Sequence, residues 1–205
     1  MLSGFTGLQI SDDETDEIEI KQENKQSQVQ PDIKLHYLNR EWDLWYHDPN
    51  NHDYSLASYI NLGTLDTIEK FWHYYYQLKL TQLQNGMFFI MLKGILPTWE
   101  DNLKGGFWSY KIDKKEISQA WTKLSIYLLS DNFVENSLFK DEIIGISISP
   151  KKTFSILKVW LNDDKLNEQV VIKKDLPYIK NEDPIYRSHI ETKEKEEQMK
   201  QYPPA

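Results

Sequence analysis

Polar and apolar positions first fall into a regular pattern at residues 38–46. Leu38, Trp42, Leu44 and Tyr46 alternate with polar neighbours, and Trp45 breaks the alternation. A period of two predicts a first strand beginning near His36. The turn formers Asp48-Pro49-Asn50-Asn51-His52-Asp53 follow, and Tyr54 stands at their far edge before a second predicted strand that runs to about Asn61. The period then lengthens: Ile68, Phe71, Tyr75 and Leu78 recur at helical spacing. Asp66 with Glu69 predicts the N-cap and its reciprocal partner. The run Phe71-Trp72-His73-Tyr74-Tyr75-Tyr76 is aromatic almost all the way round, so part of it must stay exposed. Trp72 beside Glu69 is either a docking patch for another protein or edge packing.

Residues 86–92 read as an interior strand and residues 106–112 as its neighbour. Asp113 and Glu116 form a second capping pair, and Ile117, Trp121, Leu124 and Leu128 mark a second helix to about Ser130. Residues 143–149, a Pro150-Lys151-Lys152 turn and residues 154–161 predict a hairpin, with Lys158 and Trp160 on one face of its second strand. A third helix is expected over about 164–175, ended by Pro177, and a last strand over 184–190.

Charge and composition change the picture at the ends of the chain. Of a net charge of −8 over 205 residues, eight acids against three lysines lie in residues 1–35. The resulting division is a disordered acidic arm (1–34), a nearly neutral folded domain (35–190) and a charged, flexible tail (191–205). An acidic chain of this kind is no nonspecific nucleic-acid binder, although a local basic pocket remains open to it. Arg40 and Arg187 are the only arginines, so an anion would be met mostly by lysine. Cysteine is absent, which excludes disulfides and thiolate metal sites and favours an intracellular protein. No apolar run approaches the roughly 18 residues of a membrane span, and the N-terminus lacks the order of a signal peptide. The histidines show no ligand spacing, so neither a metal nor a cofactor is expected.

The stretch with the most chemistry is Leu96-Pro97-Thr98-Trp99-Glu100-Asp101, followed by Gly105-Gly106-Phe107-Trp108. Proline fixes the approach, an aromatic face comes next, and an acceptor-only carboxylate stands beside it. Such a loop either grips a flat ring or merely closes the core.

In order and spacing, residues 36–190 resemble the eukaryotic translation initiation factor 4E family, the messenger RNA cap-binding proteins. The resemblance is carried by His36-Tyr37-Leu38-Asn39-Arg40-Glu41-Trp42-Asp43-Leu44-Trp45-Tyr46, by Asp66-Thr67-Ile68-Glu69-Lys70-Phe71-Trp72, by the Trp99 loop with its Gly-Gly turn, and by Trp121 and Trp160. It implies an α+β fold: a curved antiparallel β-sheet with helices packed on its convex face and a cap-binding slot on the concave side. It further implies that Trp99 stacks on 7-methylguanine, that Glu100 accepts the two N–H groups of the guanine edge, and that Trp160 lies near the N7 methyl. Trp42, Trp45, Trp108 and Trp121 are read as structural.

The family's second stacking aromatic has no tryptophan counterpart here, which leaves Tyr54 for that role. Phe107 stands where the family tends to carry a basic residue, and Ile156 where another lysine is expected. Phosphate contacts then fall to Lys151, Lys152 and Lys158. His36, Ile68, Glu69 and Trp72 match the positions that receive a helical motif from a scaffold or repressor protein of the initiation factor 4G or binding-protein type. Tyr37 replaces a family proline, and Lys123 stands where an acid is common. The implied protein is a cytoplasmic translation initiation factor without catalysis, a monomer outside the initiation complex, with capped mRNA and the scaffold as partners. The alternative is a regulatory paralogue with weak or altered cap binding. An enzyme using Glu100 and Asp101 as an acid/base pair is a third reading, with no nucleophile or metal cluster to support it.

Overall fold

The computed structural model describes residues 34–168, 170–179 and 184–201. The predicted arm at 1–34 therefore lies almost wholly outside the described residues. The alternating segment at the start becomes strand β1 (Tyr37–His47), whose even-numbered residues Trp42 and Leu44 are buried on one face. The second strand is found later than its composition predicts, at β2 (Ile60–Thr67), because residues 56–58 turn back in a short 3-10 helix first. Helix α1 (Ile68–Gln77) follows without a loop, and a helical turn and a half that no sequence period announces, α2 (Leu80–Asn85), leads into β3 (Met87–Leu92).

Strand β4 (Gly106–Asp113) and helix α3 (Ile117–Leu129) precede the expected hairpin of β5 (Ile143–Pro150) and β6 (Phe154–Leu161). Strand β7 (Ile185–Ser188) is short, and the chain passes directly into helix α4 (His189–Gln201). Residues 191–201, expected as a loose tail, are thus helical. The seven strands form one curved antiparallel sheet in the order β2-β1-β3-β5-β6-β4-β7. This corrects one expectation: β4 does not neighbour β3, which pairs instead with β1 and β5.

One face of the sheet carries the main core. Trp42, Leu44, Phe88, Ile90, Ile146, Leu157 and Val159 meet Phe71 of α1 and Ile117, Trp121, Leu124 and Leu128 of α3 there. The cap pairs differ from those predicted. Thr67, in extended conformation, caps α1 by accepting from the Lys70 amide at 3.2 Å, while Asp66 stays in the strand and pairs with the Lys70 ammonium at 2.6 Å. Glu116 caps α3 with no side-chain bond, and Asp113 accepts instead from the Lys115 amide. Of the four apolar residues assigned to the buried face of α1, only Phe71 is buried; Ile68 is 45% exposed.

No third helix spans 164–175. A 3-10 turn at Asp164–Leu166 gives way to extended chain, and Ile172 bridges Val134. The β-branched run Val170-Val171-Ile172 is poorly suited to a helix and puts Val170 and Ile172 into the core. Arg40 fastens the sheet to the end of α3: its Nε and Nη2 both donate to Asp131 Oδ1, at 2.8 and 2.6 Å, and it also reaches the carbonyls of Lys140 and Ile143.

Among the described residues no helix is long and apolar enough to cross a membrane.

Candidate functional site

The opposite face of the sheet holds a smaller apolar cluster of Phe89, Met91, Ile144 and Trp160, against which Trp45, Tyr59 and Trp99 pack. Strand alternation explains the split. Residues paired across antiparallel strands project to the same side, so Trp45 opposite Phe89, and Phe107 opposite Trp160, are sent away from the helices.

A slot opens at the end of this face. It has a volume of about 480 Å³ and is bounded by His52, Tyr54, Ser55 and Leu56 on one side and by Thr98, Trp99, Glu100 and Asp101 on the other. The loop that the sequence marks as chemically equipped and the turn that presents Tyr54, some forty residues apart in the chain, therefore meet. Trp99 begins a 3-10 turn over Glu100–Asn102. The Asn102 amide group donates to the carbonyls of Leu96 and Thr98 at 2.9 and 2.7 Å, and the Thr98 hydroxyl donates to Asp101 Oδ2 at 2.5 Å. From the far end of the chain, the Nδ1–H of His189 donates to the Asn102 carbonyl at 2.8 Å.

Asp101 is thus committed to holding the loop. Glu100 is exposed and makes no hydrogen bond or ion pair among the described residues, which leaves its carboxylate free for a ligand. That separation of duties is unlike a paired acid and base.

Tyr54 is held from behind. Its ring stacks on the imidazole of His47 at 4.9 Å with 8° between planes, and the Tyr59 ring lies 4.6 Å from the same imidazole, tilted by 48°. His47 is fully buried and donates through Nε2 to the Asp53 carbonyl at 3.0 Å. The Asp53 carboxylate accepts from the amide and hydroxyl of Ser55, which holds it below the usual carboxylate range and fixes the turn that presents Tyr54. Tyr54 itself remains 48% exposed. Burial, with Glu100 and Tyr54 nearby, pushes the Tyr59 hydroxyl up to about 12. His47 and Tyr59 carry no sequence signal of their own, since their stacking arises across a turn.

The other predicted residues are dispersed along the same face. Trp160 is 3% exposed, with its indole N–H donating to Ser147 Oγ at 3.0 Å and its ring against Phe107 and His189. It lies beneath the surface. The Lys158 ammonium sits 4.0 Å from the centre of the Phe107 ring, and burial, with Arg187 and Lys151 close by, lowers its pKa to about 8. Lys151 and Lys152 are exposed on the β5–β6 turn. Among the described residues no group of histidine and carboxylate side chains could hold a metal ion.

On the helical face the four remaining predicted residues come together. The His36 amide and Nδ1 both donate to the Glu69 carboxylate, the latter at 2.7 Å, and these bonds hold Glu69 below the usual range. A hollow of about 370 Å³ beside this pair is lined by Tyr37, Leu38, Ile68, Phe71, Trp72 and Ile126 among others. Its lining is largely apolar.

A family model described as Eukaryotic initiation factor 4E matches residues 37–203. The chain is 31% identical over 141 residues to eukaryotic translation initiation factor 4E type 1B of Mus musculus, spanning 63% of this chain and 55% of that relative. It is 27% identical over 154 residues to eukaryotic translation initiation factor 4E of Xenopus laevis, 71% of either chain. Among solved structures it resembles C. elegans eIF4E-3 in complex with the 4E-binding protein Mextli and a cap analog, with a TM-score of 0.67 and 23% identity over 78% of this chain and 96% of that one. A schistosome eIF4E complexed with m7GpppA and 4E-BP gives a TM-score of 0.58 and 22% identity over 66% and 75% of the two chains. These structural likenesses establish the fold.

Proposed function

The chain belongs to the eukaryotic initiation factor 4E family, and we propose that it binds the 7-methylguanosine 5′ cap of messenger RNA between Tyr54 and Trp99 and recruits the translation machinery through a scaffold protein. The observation that carries this reading is the slot itself, which gathers the exposed ring of Tyr54, the half-buried ring of Trp99 and the free carboxylate of Glu100 from two loops. Methylation at N7 makes guanine a cation. Between two aromatic faces it gains cation–π attraction of about 2 kcal/mol when desolvated, beyond stacking of roughly 1–3 kcal/mol. Unmethylated guanine lacks the first of these.

Glu100 accepts the two parallel N–H donors on the guanine edge, a charge-assisted pair that fixes the base in the slot. Trp160 forms the floor beneath Trp99, on the methyl side. Lys151, Lys152 and Lys158 supply positive charge for the phosphates. On the other face, His36, Ile68, Glu69 and Trp72 border the groove that receives an amphipathic helix of a scaffold or repressor protein. The protein works by binding in the cytoplasm, where capped messages are translated, and turns nothing over.

Quenching of tryptophan fluorescence by 7-methyl-GTP, with GTP as control, tests the cap assignment. Wild-type protein is expected to give saturable quenching with the methylated nucleotide, and Trp99→Ala or Glu100→Gln to lose most of it, at least about tenfold in affinity. Equal responses to the two nucleotides, or no effect of either substitution, would sink the assignment.

A further inference from the structure

Behind the slot sits an ionisable ring to which the cap reading gives no chemistry. His47 ends β1, opposite Met87 of β3, and none of its surface reaches solvent. Its two nitrogens are not equivalent. A carbonyl can only accept, so the 3.0 Å bond between Nε2 and the Asp53 carbonyl places a proton on Nε2. Nδ1 is buried and has no partner among the described residues, so it is the lone-pair nitrogen. The ring is held as a neutral imidazole of one tautomer.

Its neighbours give that charge state a consequence. One face of Tyr54 lies against the imidazole, 8° from parallel, and the rest of the tyrosine is open to solvent. A base entering the slot therefore meets the other face of Tyr54, with His47 as the plate behind it. No hydrogen bond and no other ring contact holds the Tyr54 side chain among the described residues. A second proton on His47 changes two things. It puts an N–H donor in a buried place without an acceptor, which is costly unless the ring leaves. It also sets a cation behind the same π electrons that attract a cationic base from the front.

Few other ionisable groups face His47. From its own turn come Tyr54 and the Asp53 carboxylate, which Ser55 keeps anionic and which favours the added proton. Asp48, next in the chain, turns its carboxylate to Asn50. Tyr59, ahead of β2, keeps its hydroxyl neutral, and through it the Glu100 carboxylate acts from the opposite loop. Met87, across on β3, carries no charge.

We propose that His47 is a positioning residue and an acid-sensitive latch: as a neutral imidazole it holds the Tyr54 ring in the slot, and on protonation it lets that ring go. The ligand that feels the latch, a stacked 7-methylguanine, rests on the cap-binding reading; the latch itself does not.

The test follows binding of the phosphate-free nucleoside 7-methylguanosine by tryptophan quenching, with guanosine as control, from about pH 8 to about pH 5, a range that spans ordinary imidazole titration. Wild type is compared with His47→Phe, which keeps a flat ring that takes no proton, and with His47→Ala, which removes the plate. At the alkaline end His47→Phe is expected to bind within about twofold of wild type, and His47→Ala about fivefold or more weakly. On acidification wild type is expected to lose at least about fivefold relative to His47→Phe, because every other titrating group, the ligand's included, is common to both. A role in packing alone predicts parallel pH profiles, and parallel profiles overturn the latch. So does a His47→Phe protein as weak as His47→Ala.

If wild type shows no methyl-selective quenching, the cap reading fails separately, and the free protein decides the latch. The NMR ring resonances of Tyr54, identified by their loss in Tyr54→Phe, are expected to shift on acidification in wild type and to stay in place in His47→Phe. Identical behaviour of the two proteins overturns it.

Discussion

Lys158 shows how one residue couples stability to function. Arg187, Lys151 and His189 all face it, and its folded-state pKa of about 8 lies below the ordinary 10.5. Above about pH 10.5 the lysine is neutral in folded and unfolded chains alike. As pH falls from there toward 8, the unfolded chain takes up the proton first, so the fold loses stability; below 8 the loss is constant. Lys158→Met is therefore expected to raise the unfolding midpoint at pH 7 by about 2–4 °C, the equivalent of roughly 1 kcal/mol for a chain of this size. The advantage should shrink as pH rises from 8 to 10.5. Thermal melts at pH 7, 9 and 10.5 check this, and a gap that stayed constant with pH would rule out burial of the charge as its cause. At the same scale, the sequence already isolates Trp99, Glu100 and Tyr54 as residues with chemistry to offer, and all three line one slot. It is silent on His47, which is fully buried behind Tyr54, because nothing local announces a stack formed across a turn. Arg187 is visible as a rare arginine, but its position beside Lys158 depends on strand pairing.

Among the elements, α1 separates local signal from tertiary decision. Both Asp66 and Thr67 are good cap residues, and the sequence pattern favours the first because Glu69 completes a reciprocal pair. The sheet reverses that choice. Thr67 pairs with Tyr37 of β1, so β2 runs one residue further and Thr67 becomes the last extended position. Glu69 is then drawn to His36, the residue just before the neighbouring strand. Thr67→Ala is expected to cost about 1 kcal/mol, and Asp66→Ala less, since its partner Lys70 is an exposed lysine. Urea unfolding of the two variants measures the difference, and a greater loss from Asp66→Ala would restore the original cap. The long α3 is legible almost to the residue because its apolar stripe is wide and wholly buried. The stretch 164–175 is misread because its polar start imitates a helix cap, while its β-branched continuation is drawn into the core as extended chain.

Across the whole molecule, the sheet is a wall with a slot on one side and an apolar hollow on the other. The slot beside Trp99 and the groove beside Trp72 are served by separate apolar clusters, so perturbing one leaves the other's packing intact. Trp72→Ala is accordingly expected to weaken a scaffold-motif peptide by at least tenfold, as loss of a central aromatic anchor does, and to leave 7-methyl-GTP affinity unchanged within about twofold. Trp99→Ala should do the reverse. Peptide binding by anisotropy and nucleotide binding by quenching, on both variants, measure the two effects; a Trp72→Ala protein with full peptide affinity removes the groove assignment. The order of strands lies beyond local pattern. Residues 106–112 follow the interior strand in sequence, yet the β5–β6 hairpin is inserted between them; that insertion brings Lys158 to the Phe107 ring, while β7, on the other edge of β4, sets Arg187 opposite Phe107. By itself the sequence determined the period of most of the main elements, the hairpin, and the one loop whose aromatic face and adjacent carboxylate suit a flat ring, because these follow from side-chain spacing and turn chemistry within a few residues. Only the tertiary structure decided which strands are neighbours, which cap holds α1, what stands behind Tyr54 and which arginine is left without a carboxylate, because each of those depends on contacts between segments far apart in the chain.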